Sequence, residues 1–110
     1  MKSKCIVISL LAVFFFSACA PAAALLQRDL RRTVALAEKY GKPEVAECAR
    51  HLSDALSKDQ ALLAEGVDGL ISAGFKIYLL NERRPSDEAA FKQKCGPVAA
   101  GLLLEIVRRR

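Results

Sequence analysis

Cys19 closes an uncharged apolar run, Ile6 to Phe16, through the small residues Ser17 and Ala18, with Lys2 and Lys4 ahead of the run. Those types at that spacing point to export-signal processing. Small side chains let a peptidase bring the backbone against its catalytic groups, and a cysteine there offers a nucleophilic thiolate. As a helix the run rises about 16 Å, roughly half a bilayer's hydrocarbon core, so it is read as a signal and not as a span. Other reactive side chains are sparse. Cys48 and Cys95 are too far apart in sequence for a Cys-x-x-Cys redox pair. His51 is the only histidine, which excludes a histidine-rich metal site within one chain. On a helix it falls near Glu47 and Asp54, but these also pair at helical spacing with Arg50 and Lys58, so a solvated charged face is expected there. No Ser, His and Asp set stands in a recognisable context, and the glycines near Gly66 lack the strand and lysine of a phosphate loop. No catalytic residue, cofactor or metal is expected, and the chain is expected not to be an enzyme.

The segment Phe16-Ser17-Ala18-Cys19 resembles the lipobox of bacterial lipoproteins, an apolar residue and two small ones before a cysteine; Phe16 stands where that family usually carries Leu, Val or Ile. The resemblance covers the signal alone. It implies a diacylglyceryl thioether on Cys19, cleavage before it and acylation of the new amino group, so that membrane lipid is the first partner. Several acyl chains, at about 0.8 kcal/mol per buried methylene, make such attachment effectively permanent. Ala20 in place of Asp implies, by the sorting rule of enteric lipoproteins, the outer membrane facing the periplasm in preference to the inner membrane.

Two other readings of the leader stay open. An ordinary secretory cut can follow Ala18-Cys19-Ala20, Ala20-Pro21-Ala22 or Ala22-Ala23-Ala24. Alternatively the leader stays on, because Cys5 to Leu26 carries no charge and is long enough to cross a bilayer as a single span. On the lipoprotein reading residues 1–18 are the signal, 19–24 the lipidated cysteine and a Pro and Ala tether, and 25–110 one helical domain. Cys5 then leaves with the signal and Cys19 takes lipid, so Cys48 and Cys95 remain as an even pair in an oxidising compartment, where a disulfide is expected. The expected role is a non-enzymatic structural or protein-interaction module of the cell envelope, meeting an envelope protein. The alternative role is a small-ligand carrier with a pocket beside the glycine-rich helix.

The chain has 110 residues and a net charge of +5, which falls to +3 without Lys2 and Lys4; Arg108, Arg109 and Arg110 account for all of that excess. The body is therefore neutral, with no basic field for nucleic acid. At a helix end the three arginines complement the dipole, and near an anionic leaflet each would add about 1 kcal/mol, which makes them candidates for headgroup contact.

The elements that must position these residues read as helices. Leu26, Leu30, Val34, Ala37 and Tyr40 recur at three and four residues, and Gly41 and Pro43 end that helix. Pro43 opens a second with Val45, Ala49, Leu52 and Leu56 inward and Cys48 at the stripe's edge. Ser57 to Gln60 has capping-box spacing for a restart, unless the helix runs on unbroken. Gly69 to Leu80 is apolar nearly all round and is expected at the centre of a bundle; a strand is the lesser alternative. Pro85 to Glu88 starts another helix, which Gly96 and Pro97 stop or kink before Val98 to Arg110. The fold class expected is all-α, a small antiparallel helical bundle with Cys48 and Cys95 joining the second helix to the penultimate one.

Overall fold

The structure is a computed structural model that describes the backbone of residues 12–81 and 86–109, with side chains from residue 22 onward within those ranges. Among the described residues there are four helices and no strand: α1 (Ala12–Lys39), α2 (Pro43–Lys58), α3 (Leu62–Leu80) and α4 (Glu88–Arg108). The protein is an all-α antiparallel bundle. Glu38 and Arg50 pair across α1 and α2 at 3.5 Å, while Gln27 reaches the Ser53 carbonyl at 3.4 Å, so the two helices run in opposite directions. Ser72 bonded to Glu88 at 2.7 Å and Asp68 to Lys92 at 2.9 Å set α3 against α4 in the same way.

Local chemistry fixes the boundaries. Gly41 takes φ +69°, the Lys42 N–H bonds the Ala37 carbonyl at 2.7 Å and the Gly41 N–H bonds that of Glu38 at 3.3 Å, the paired bonds of a Schellman cap. Pro43 then opens α2 with Glu44 in the first turn, where the helix dipole favours an anion. Asp87 caps α4 by accepting the Ala90 N–H at 2.7 Å.

Three expectations need correction. The restart at Ser57 does not occur: α2 continues to Lys58, the Ser57 hydroxyl donates back to the Ser53 carbonyl at 3.1 Å, and the break falls at residues 59–61, where the Asp59 carboxylate accepts the Ala61 N–H at 3.0 Å. Inside α3 the helical path is interrupted at Gly66, whose φ of +79° a side chain would oppose. Gly96 and Pro97 do not stop α4, which continues to Arg108; Pro97 and Gln93 both lie on its exposed side, where water can reach the carbonyl that proline leaves unbonded.

The third concerns the centre of the bundle. The most enclosed helix is α2, which packs against the other three and buries Ala46, Cys48, Ala49, His51, Leu52, Ser53, Ala55 and Leu56. α3 is more apolar, yet Leu79 and Leu80 at its end are 45% and 72% exposed. Small side chains let three neighbours close around α2, and hydropathy does not register that. Gly74 serves the same purpose on α3: a Cβ there would stand 2.9 Å from Leu52 Cδ2 and 3.4 Å from Phe91 Cε2.

Candidate functional site

Attachment chemistry would begin at Cys19, which lies in the helical backbone of α1; its side chain falls outside the described residues. The expected tether at 20–24 is not a loose spacer. Alanine is the best helix former, α1 runs through the segment without a break, and Ala23 is 1% exposed in the core. Four helical residues rise about 6 Å, so a group held at Cys19 would sit one turn from the packed body.

Cys48 and Cys95 are joined in a disulfide with their Cα atoms 5.4 Å apart, stitching α2 to α4. Cys48 is at the edge of the α2 stripe, as the periodicity predicts, and both residues are buried, at 6% and 0% exposure. A sulfur so enclosed is a structural brace; exchange chemistry needs access for an attacking thiolate.

The terminal arginines divide. Arg109 turns inward, its guanidinium 3.4 Å from both carboxylate oxygens of Asp29 on α1 and its Nε 3.8 Å from Glu105. Arg108 pairs with Glu105 from the outside, and Arg110 lies outside the described residues. Asp29 is a buried carboxylate that periodicity alone did not single out, at 5% exposure, so Arg109 is its counter-charge and locks the end of α4 to α1. Arg109→Ala is expected to cost about 1–2 kcal/mol, because an uncompensated buried charge remains, with the partial exposure of Arg109 moderating the loss. Urea unfolding midpoints measure this. Asp29→Asn combined with Arg109→Ala should recover part of the loss, and a double variant as weak as the single one would refute the pairing.

His51 is not on a solvated face. It is 3% exposed and stacks on Tyr78, with ring centroids 4.9 Å apart and planes within 4°, because α2 is wrapped on three sides. Of the polar residues of α3, Ser72 is bonded to Glu88 and Lys76 is exposed. Among the described residues no cluster of His, Cys, Asp or Glu is placed to hold a metal ion, and no helix is long and apolar enough to cross a membrane. A groove of about 270 Å³, open to solvent, runs between α1 and α2 past Arg31, Arg50, Ser53 and Asp54. A smaller cleft of about 80 Å³ lies over the disulfide beside Glu44, Glu47, Tyr78 and Lys94. The smaller cleft borders the glycine-rich α3 at Tyr78, whereas beside Gly74 the space is closed by Leu52 and Phe91. Comparison with family models, with curated proteins and with solved structures finds no match to this chain.

Proposed function

We propose that this chain is a small lipid-anchored protein of the bacterial envelope, held through Cys19 and acting without catalysis as a structural or protein-interaction module. The reading rests on the leader, in which Lys2 and Lys4, an apolar run and Phe16-Ser17-Ala18-Cys19 follow one another as in lipoprotein signals. The observation that carries it beyond the leader is the buried Cys48–Cys95 disulfide, a bond that persists where thiols are kept oxidised. The helical continuity from Cys19 to Ala23 supports a short mount, with the body close to whatever the lipid enters. The outer membrane facing the periplasm is the location proposed, with an envelope protein as the macromolecular partner.

Intact-mass measurement of the membrane fraction tests this in one step. The wild-type chain should lack residues 1–18 and carry the mass of a diacylglyceryl group with or without a further acyl chain. Cys19→Ser should leave the signal uncut and carry no lipid. A wild-type mass equal to the bare full-length chain would rule the proposal out, and a mass equal to a lipid-free fragment cut after an Ala-x-Ala site would replace it with soluble export.

A further inference from the structure

Charge is divided between the two sides of the bundle. α1 carries four cations and two acids and α4 three and two, whereas α2 carries two and three and α3 one and two. On α4 the residues Pro97, Ala100, Gly101, Leu104 and Val107 recur at helical spacing and are all exposed, Leu104 at 60% and Val107 at 57%. Arg108 stands at the end of this stripe and is exposed as well, while Lys94 borders the cleft it shares with Glu44 and Glu47 of α2. Glu105, the acid of this half of α4, is turned onto Arg108 and Arg109. On α1, Arg32 and Leu36 share with Asp29 the i, i+3, i+7 line that meets α4 through Arg109, and both face solvent. One side of the molecule therefore presents an apolar strip framed by cations, its acids already paired.

We propose that this α1–α4 face is the surface on which the protein lies against a membrane of anionic lipid. Leu104 and Val107 enter the boundary between headgroups and acyl chains, and Arg32 and Arg108 meet headgroup phosphates. The inference deepens the anchored reading and rests on it. α1 connects Cys19 to the Asp29–Arg109 seam within about 15 Å of helix, so the anchor and the face reach the same surface when the bundle tips onto its side. Charge selects the occupant: a second copy seated on this face would set the same cations against one another, while an anionic leaflet complements them.

The chain contains no tryptophan, so one introduced indole reports its surroundings alone. Leu104→Trp and, as a comparator on the acidic side, Ala64→Trp, also exposed, are each purified as the full membrane form. Both are reconstituted in phosphatidylethanolamine and phosphatidylglycerol vesicles bearing brominated acyl chains. Leu104→Trp should be quenched roughly twofold or more with a blue-shifted emission, and Ala64→Trp should not; zwitterionic vesicles should weaken the effect. Equal quenching at both sites, or stronger quenching at Ala64→Trp from an upright stance, overturns the proposal. So does a blue shift of Leu104→Trp that follows protein density and ignores bromine, the mark of a second copy. Flotation of the same samples separates the two levels of inference. A protein that floats with Leu104→Trp unquenched loses the face and keeps the anchor, and one that does not float loses both.

Discussion

Reducing the Cys48–Cys95 bond is expected to remove about 4 kcal/mol of stability, since opening a loop with a sequence separation of 47 restores that much entropy to the unfolded chain. For a domain of this size the melting midpoint should fall on the order of 15–30 °C. The double variant Cys48→Ala with Cys95→Ala gives the same comparison without buried thiols, and circular-dichroism melts of oxidised, reduced and variant protein read the three states side by side. Helical content at low temperature should stay similar in all of them, because the caps and the core residues Leu26, Leu30, Leu52 and Leu56 do not depend on the bond. A midpoint that moves by only a few degrees would mean the unfolded chain is already compact around α2 and α4, and the brace would then contribute little.

The consequence for function is compartmental. A domain this short leaves only a few kcal/mol from its own core, so the loss of one brace approaches the whole margin. In a reducing cytosol the same chain would spend more time open, whereas an oxidising compartment holds it shut. The stability of the disulfide under oxidising conditions is thus consistent with the export proposed above from residues 1–19.

Much of this architecture was legible in the residues. Gly41 followed by Pro43 marked a helix end and the next start, and the Schellman bonds at Ala37 and Glu38 are the physical form of that signal. Asp87 and Glu88 announced α4, and the even pair left when Cys5 and Cys19 are set aside, with Cys48 at the edge of a stripe, announced the bridge to Cys95. What sequence reading missed has a common cause. Periodicity weighs each residue by hydropathy, but enclosure depends on how closely backbones approach, so α2 with its alanines, Cys48 and Ser53 was underweighted, and α3 with Leu79 and Leu80 overweighted. His51 was assigned to solvent because its sequence neighbours are charged, though its phase on α2 lies between Cys48 and Ala55, both buried. Asp29 could not be recognised as buried without knowing that Arg109, eighty residues away in sequence, closes on it.

The second large effect is expected at Phe91, where the two sides of the core meet. Its ring is 1% exposed, lies 5.7 Å from Phe75 and meets Tyr78 edge-on at 5.3 Å, while Gly74 leaves room for its edge beside Leu52. Phe91→Ala should cost about 3–5 kcal/mol, from lost burial together with the cavity left among neighbours that α2 and the disulfide hold in place. Phe91→Leu keeps most of the volume and should cost less than about half of that. Position makes the variant more informative than its magnitude. Phe91 is one helical turn from Cys95, so its ring and the disulfide brace the same stretch of α4 against α2 and α3. Residues that share neighbours in this way are coupled, and the two losses should not simply add. In the oxidised protein Phe91→Ala should still unfold in one transition, at a lower urea midpoint. In the reduced protein the same substitution should leave no cooperative transition, because the combined cost reaches the total stability of a small domain. If reduced Phe91→Ala instead unfolds as cooperatively as reduced wild type, α4 is held chiefly by its later residues Ala99 and Ile106 and by the Arg109–Asp29 pair, and the weight assigned to the aromatic cluster is misplaced.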